Sequence, residues 1–220
     1  MRERPILFSA PMVRALLNGS KRQTRRIVKS RKDHYIGCDL APHEIAGEIN
    51  CGNYRNSRLG EPGDRLWVRE AFDFLPAGGP SDPQACEIVY WSTGSIEPRT
   101  APASYNPMIY GREKIRPSIH MPRWASRITL EISAVRVEKL LDISRDDAIA
   151  EGIERMEDFF GCPCWKCYGE PDGSDVVCPD DPIGSYRSLW ESINGRGSWD
   201  FNPWVWVIEF NQLPEGKCAI

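Results

Sequence analysis

A short run near the N-terminus carries residue types that together could cleave an amide bond. Lys21 and Thr24 are three residues apart, and Arg25 and Arg26 follow directly. A threonine hydroxyl is a poor nucleophile unless a base takes its proton, and a lysine is such a base only when its amine is neutral. Burial beside the two arginines would lower the pKa of Lys21 toward that state. We expect one turn of backbone to bring Lys21 and Thr24 to the same face.

Amide cleavage also needs a carboxylate that hands a proton to the departing amine, and Glu151 is the candidate. Arg26 could hold a phosphate, a carbonyl oxygen or the developing oxyanion. These residues supply a nucleophile, a base, an acid and an anion stabiliser. Residue types alone leave a plainer alternative open, in which Lys21 is a solvated turn residue, Thr24 starts a strand and Glu151 lies on a helix surface.

Four sequence motifs in a fixed order give the chain a family resemblance. The run GSKRQTRR fits the pattern Gly-x-Lys-x-x-Thr-x-Arg through Gly19, Lys21, Thr24 and Arg26. It is followed by GDRLWV, by the helix DDAIAEGI and by the strand VWVIEF. This order resembles the ASCH domain family, which implies a PUA-like β-barrel and an association with RNA or modified nucleosides.

Within that family, the motifs are similar to those of the small bacterial N4-acetylcytidine amidohydrolases. Those enzymes remove the acetyl group from the exocyclic nitrogen of acetylated cytidine. The resemblance places their functional lysine and threonine on Lys21 and Thr24, and their functional glutamate on Glu151. It implies a hydrolase in which Lys21 activates the Thr24 nucleophile and Glu151 shuttles the proton, with no cofactor required for catalysis.

The resemblance covers roughly half of the chain. It falls in four stretches, about 5–30, 60–72, 126–153 and 203–213. Three insertions have no counterpart in the small enzymes, at about 31–58, 73–125 and 154–200. In this respect the chain resembles the larger ASCH proteins of phage and prophage genomes. We expect a single domain over 1–213, followed by a flexible tail over 214–220.

Periodicity predicts a mainly β fold with short helices (α+β). Alternating apolar residues predict strands at 4–10, 27–28, 60–72, 86–92, 126–140 and 203–210. Short helices are predicted at 12–18, at 186–194 and from the N-cap Ser144 to Glu151, where Gly152 ends the helix. With the resemblance, this order predicts a PUA-like β-barrel that carries the insertions. The segment 31–58 shows no clear periodicity and is interpreted as irregular.

Three further residues are candidates for substrate binding beside Arg25 and Arg26. Glu70 could point inward from its strand as a carboxylate partner for Lys21, or could be exposed. Arg123 and Trp124 lie on the long loop 93–125, where an arginine and a tryptophan could stack on a base. The alternative for Trp124 is an anchor packed on the core.

A cysteine cluster in the third insertion predicts a structural metal. CPCWKCYGEPDGSDVVC places thiols at Cys162, Cys164, Cys167 and Cys178. Two residues between Cys164 and Cys167 let both thiolates reach one ion, and the other two could complete a tetrahedral four-sulfur zinc site. Such a closed site would hold the insertion together rather than catalyse. The alternative is a loop of free thiols.

Composition limits the partners and the compartment. The net charge of −3 and the pI near 5.7 argue against a protein that coats nucleic acid by bulk electrostatics. The basic run over 21–32 could be a solvated turn or a local contact for phosphate. We expect no membrane span, no secretory signal and a cytoplasmic location.

These observations support three hypotheses. The first is an amide hydrolase for a modified nucleoside or nucleobase. The second is a non-catalytic PUA-like module that binds RNA or a modified base, with Lys21, Arg25 and Arg26 on phosphate and Trp124 stacked. The third is a ribonuclease that uses the same lysine. The sequence does not fix the oligomeric state.

Overall fold

The fold is mixed, with more strand than helix and with helices that are short. The computed structural model describes residues 1–78, 82–105, 115–157, 161–169 and 180–214. Strands are β1 (Glu3–Leu7), β2 (Gln23–Ile27), β3 (Arg31–Lys32), β4 (Asp39–Leu40), β5 (Arg65–Arg69), β6 (Phe72–Pro76), β7 (Ala85–Tyr90), β8 (Ser95–Thr100), β9 (Thr129–Lys139), β10 (Arg155–Glu157), β11 (Pro163–Trp165) and β12 (Trp204–Gln212). Helices are α1 (Ala10–Leu17), α2 (Pro42–Asn50), α3 (Arg145–Ala150) and α4 (Pro182–Asn194). The predicted class, mainly β with short helices, is confirmed.

The chain divides into two compact units, each assembled from segments that are distant in sequence. The first unit comprises Met1–Leu17, Asp64–Glu131 and the residues from Gln212 onward. The second comprises Asn18–Gly63 and Ile132–Asn211. No described helix is long and apolar enough to pass through a bilayer.

The first unit contains two sheets. Strand β5 pairs in parallel with β1, where Glu3 lies opposite Arg65, and antiparallel with the start of β9. Strands β6, β7 and β8 form an antiparallel sheet of their own. One hydrophobic cluster joins this sheet to the segment that follows it in sequence, and its buried side chains are Phe72, Phe74, Ile88, Tyr90, Met121 and Ala125. The alternating burial of β7 explains why this strand was predictable from sequence.

The second unit is built on the order β9-β12-β2. Strands β12 and β2 are antiparallel, with Val205 opposite Ile27 and Glu209 opposite Gln23. Four consecutive residues of β12, from Val205 to Ile208, are buried, so both faces of this strand are covered. Two short hairpins, β3-β4 and β10-β11, complete the unit's described strands.

The predicted closed barrel is not found among the described strands. Within the described residues, β1 pairs only with β5, and β2 pairs only with β12. A barrel requires every strand to have two neighbours, and these two strands have one each.

The segment 31–58 is more ordered than its sequence indicated, because it contains helix α2. Pro42 occupies the first turn, and the carboxylate of Glu44 accepts the N–H of Ala41 at 2.7 Å. Ile45 and Ile49, one turn apart, are both buried. The prediction of an irregular segment was therefore wrong for this stretch.

Candidate functional site

The candidate site forms where the chain entering β2 meets the end of α3. Lys21 and Glu151 form an isolated antiparallel bridge, and the N–H of Arg22 donates to the carbonyl of Ala150 at 2.8 Å. Glu151 occupies the C-cap of α3, and Gly152 leaves the helix at a φ of +83°. The backbone itself therefore holds Lys21 beside Glu151.

The opposite end of α3 confirms the predicted cap. Ser144 is the N-cap, and its hydroxyl accepts the N–H of Asp147 at 3.1 Å. The carboxylate of Asp147 in turn accepts the N–H of Ser144 at 3.3 Å. This reciprocal pair starts the helix about two turns before Glu151, which fixes where the glutamate lies.

Lys21 and Glu151 form a buried ion pair. The Lys21 ammonium donates to the Glu151 carboxylate at 2.9 Å and to the Glu151 backbone carbonyl at 2.7 Å. The two side chains are only 1% and 3% exposed. Burial lowers the pKa of Lys21, the charge of Glu151 partly opposes this, and Arg26 and Arg25 lower it further. The net direction is downward, as the chemistry of a lysine base requires.

Arg25 binds carboxylates rather than solvent. Its guanidinium donates to Glu151 at 3.2 Å and to Glu138 at 2.7 Å, and lies 3.3 Å from the carboxylate of Asp147. Its side chain is 0% exposed. Among the described residues its Nε has no hydrogen-bond partner. Arg25 was predicted to bind substrate, but the structure surrounds it with the carboxylates of Glu138, Asp147 and Glu151.

A second arginine extends the ion pairs outward. Arg136 donates to Glu138 at 2.9 Å, to Asp147 at 2.8 Å, and to Glu209. Glu138 and Asp147 thus each contact both Arg25 and Arg136. The result is a continuous network of alternating charges that runs from the buried Lys21 to the half-exposed Glu209.

Thr24 is buried in β2, but it is not joined to the ion pair. Gln23 donates to the carbonyl of Asp147 at 3.0 Å, and Arg25 contacts the Asp147 carboxylate, so Gln23 and Arg25 share a face. Successive strand residues point to opposite faces, so Thr24 between them faces away. No hydrogen bond in the described part of the chain links Thr24 to Lys21 or Glu151. The expected shared face of Lys21 and Thr24 assumed a turn, whereas the chain here is a strand.

Arg26 and Tyr186 interact electrostatically with the pair, Arg26 with Lys21 and Tyr186 with Glu151. Arg26 is half-buried, and burial lowers its pKa against the opposing charges of Glu151 and Tyr186. Burial and the charge of Glu151 raise the pKa of Tyr186 well above its usual value, so the phenol stays protonated. The guanidinium carbon of Arg25 lies 6.0 Å from the Tyr186 ring centroid. Sequence reasoning missed Tyr186, although its spacing of four from the buried Trp190 marks a core-facing helix position.

The other predicted binding residues lie in the first unit and have local partners. Glu70 is buried and accepts from Arg127 at 2.9 Å and 3.1 Å, and from the hydroxyl of Ser92. Arg123 donates to Glu3 at 2.9 Å. Trp124 stacks on Phe74 with ring centroids 5.3 Å apart, which agrees with the alternative interpretation of Trp124 as a core anchor.

The cysteine cluster is described in part. Cys164 is buried on β11, Cys167 is half-buried and Cys162 is exposed. Cys178 lies outside the described residues. Among the residues that are described, no group of three or more His, Cys, Asp or Glu side chains could hold a metal ion. The zinc site stays a prediction.

Comparison of the chain with protein-family models, with curated proteins and with solved structures finds no match.

Proposed function

We propose that this protein hydrolyses the amide of an N4-acetylcytidine-like nucleoside or nucleobase. The observation that carries the proposal is the Lys21–Glu151 pair, in which burial lowers the pKa of an amine held 2.9 Å from a buried carboxylate. A neutral amine beside a carboxylate can take and return protons. The resemblance to the ASCH domain family and its PUA-like fold, with the same lysine and glutamate, supports this assignment.

The proposed reaction has two stages. The first stage requires a change in conformation, because Thr24 faces away from the Lys21–Glu151 pair in this structure. Once the Thr24 hydroxyl reaches the amine, Lys21 takes its proton, and the Thr24 oxygen bonds to the amide carbonyl carbon. Arg26 stabilises the oxyanion. The carbon–nitrogen bond then breaks, and Glu151 passes the proton from Lys21 to the departing exocyclic amine. Water next attacks the threonine ester and returns a proton to the Thr24 oxygen, which releases acetate.

The test is the release of cytidine from N4-acetylcytidine, followed by chromatography. We expect turnover by the wild type and its loss in Lys21→Ala and Glu151→Gln. Two exposed residues of the same unit provide matched controls, because Lys29→Ala and Glu157→Gln change the same residue types at the surface. Absence of turnover in a folded wild type would exclude N4-acetylcytidine as a substrate.

A non-catalytic PUA-like binding module is the second candidate. The burial of the Lys21–Glu151 ion pair away from solvent favours it. The Lys21 and Glu151 side chains are 1% and 3% exposed, as in a purely structural pair. Two residues that were predicted to contact nucleic acid in such a module have other partners. Arg25, predicted to bind phosphate, is enclosed by carboxylates, and Trp124, predicted to stack on a base, packs on the core. Saturable binding of N4-acetylcytidine without cytidine release would select this candidate.

We also propose that the four cysteines Cys162, Cys164, Cys167 and Cys178 hold a structural zinc ion. The spacing of the thiols carries this proposal. Its test is the metal content of the purified protein.

A further inference from the structure

Four charged side chains form a closed ring of ion pairs next to the candidate site. Arg25 contacts the carboxylates of Glu138 at 2.7 Å and of Asp147 at 3.3 Å. Arg136 contacts the other oxygen of each, in Glu138 at 2.9 Å and in Asp147 at 2.8 Å. We refer to Arg25, Glu138, Arg136 and Asp147 as the charge ring. It contains two cations and two anions, so it is electrically neutral on its own.

The charge ring extends from the protein interior toward solvent. The side chain of Arg25 is 0% exposed, whereas those of Glu138, Asp147 and Arg136 are 18%, 21% and 32% exposed. A buried cation is stable only when carboxylates compensate its charge. Three carboxylates contact Arg25, and two of them belong to the ring. The charge of Arg25 is therefore compensated without its third partner, Glu151.

Asp147 provides a permanent negative charge in the ring. Its pKa is lowered to about 2, because the hydrogen bond from Ser144 and the charges of Arg25 and Arg136 outweigh the opposing effect of burial. The Asp147 carboxylate is therefore ionised at neutral and alkaline pH. It neutralises its arginines but exchanges no proton with them.

Glu151 joins the charge ring to Lys21 through two different oxygens. Its Oε1 accepts from Arg25 at 3.2 Å, and its Oε2 accepts from Lys21 at 2.9 Å. The bond from Arg25 to Glu138 is shorter, at 2.7 Å. Arg25 thus binds its ring partner more closely than it binds Glu151, and one oxygen of Glu151 is left to Lys21.

This division bears on the proton transfer of the proposed reaction. When Glu151 takes the proton of Lys21, its carboxylate becomes neutral and Arg25 loses one counter-charge. A buried cation without a counter-charge is strongly destabilising. Because Arg25 keeps the two carboxylates of the ring, the charge of Glu151 can change without leaving a buried cation uncompensated.

We propose that Glu138 is a positioning residue of the candidate site, which acts on Glu151 through Arg25. By binding Arg25, Glu138 keeps the guanidinium from binding Glu151 more closely. Glu151 is then available to Lys21 and can gain and lose a proton. The role of Glu138 in turnover rests on the proposed function, whereas its effect on the proton of Lys21 does not.

The other groups that act on the pair are the same in every variant of the test. Burial is the main cause of the lowered pKa of Lys21, Glu151 opposes it, and Arg26 and Arg25 add to it. Tyr186 of α4 interacts electrostatically with Glu151. Because burial, Arg26 and Tyr186 are left as they are, a change in the titration of Lys21 reports on the charge ring.

NMR titration of the protein with isotopically labelled lysine side chains tests the proposal without a substrate, and Lys21→Met assigns the signal. Glu138→Gln should lower the midpoint of the Lys21 titration, because Arg25 then takes more of the charge of Glu151. Arg25→Gln should raise the midpoint, because Lys21 then has that charge to itself. Shifts of opposite sign are not expected from loosened packing, and either variant decides alone if the other does not fold.

Turnover tests the role in proton transfer. At a pH above the Lys21 midpoint, Glu138→Gln should lower kcat for the release of cytidine from N4-acetylcytidine roughly 10- to 100-fold. This is the effect of losing one hydrogen bond to a buried charged group in the reacting state. KM should stay unchanged, because Glu138 acts through Arg25 and not on the substrate.

Two glutamates provide graded controls. Glu209 contacts Arg136, at the outer side of the ring, so Glu209→Gln should have a smaller effect on the midpoint and on kcat than Glu138→Gln. Glu157 is exposed, and Glu157→Gln should change neither quantity.

The outcomes keep this proposal distinct from the proposed function. A Lys21 midpoint that is unchanged or raised in Glu138→Gln would overturn the proposal, even if the wild type releases cytidine. A lowered midpoint with unchanged kcat would overturn the role of Glu138 in proton transfer. If Glu138→Gln lowers the midpoint but the wild type releases no cytidine, the control of Lys21 by Glu138 stands and the hydrolase assignment falls.

Discussion

Lys21 donates to Glu151 twice, to the carboxylate at 2.9 Å and to the backbone carbonyl at 2.7 Å. The second bond does not need the glutamate side chain, so Lys21 stays anchored when that side chain changes. The carboxylate, by contrast, also accepts from Arg25 at 3.2 Å. Glu151 is therefore the residue at which two buried cations meet.

This asymmetry predicts unequal costs for removing the two partners. Breaking a buried ion pair costs about 3–5 kcal/mol. We expect the loss of stability in Glu151→Gln to lie at the upper end of this range, because both Lys21 and Arg25 lose the charge of the Glu151 carboxylate. Lys21→Met should fall at the lower end, because Arg25 still neutralises Glu151. Urea unfolding measures both, and the double variant should lose less stability than the two single losses added. Strict additivity would contradict the pairing.

The lowered pKa of Lys21 predicts that stability rises with pH on the alkaline side. In the folded state the pKa of Lys21 lies below its ordinary value of 10.5. Between the folded and unfolded pKa values the unfolded chain binds more protons, so the free energy of unfolding increases with pH, by at most about 1.4 kcal/mol per unit. Tyr186 has the opposite effect only above its unfolded pKa of 10.0, because its folded pKa is raised.

Urea unfolding at several pH values below 10.0, the unfolded pKa of Tyr186, measures this slope. Lys21→Met should abolish it, while Lys29→Met, at an exposed lysine, should leave it unchanged. A wild-type slope that persists in Lys21→Met would assign the effect to another group. The rate of cytidine release should rise over the same pH interval, as Lys21 becomes neutral.

Substitutions at Thr24 test its proposed role as the nucleophile separately from the role of Lys21 as the base. Thr24→Ser keeps a hydroxyl and should retain part of the activity, whereas the isosteric Thr24→Val should abolish it. Neither should change the alkaline slope of stability, since Thr24 has no hydrogen bond to Lys21 among the described residues. Full activity in Thr24→Val would mean that Lys21 and Glu151 activate water instead, and the residue would keep only its packing role.

The regular elements were largely predictable, because they follow local rules. Alternation located β7 and β9, and the Ser144–Asp147 cap located α3 and hence Glu151. Helix α2 was missed because its apolar face is short, although Pro42 and Glu44 carried a start signal. Strand pairings depend on contacts between distant segments, so the absence of a closed barrel among the described strands was not readable from local pattern.

The site was predictable in its residues but less so in its contacts. Residue types and the family resemblance together singled out Lys21 and Glu151, which the fold does bring together. The orientation of Arg25 depends on where a strand begins, and a shift of one residue exchanges its face with that of Thr24. Glu70 pairs with Arg127 rather than with Lys21, and no sequence motif indicated Arg127 as its partner.

The zinc prediction can be tested without reference to activity. We expect about one zinc per chain by mass spectrometry of the native protein, and a fall in Tm when a strong chelator is added. Cys164→Ser and Cys167→Ser should each lose the metal and the chelator effect, because a closed site needs all four ligands. Cys51→Ser changes an exposed free thiol outside the cluster and should keep both. Native protein without bound zinc, or Tm unaffected by chelator, would leave these cysteines as thiols of an ordinary loop.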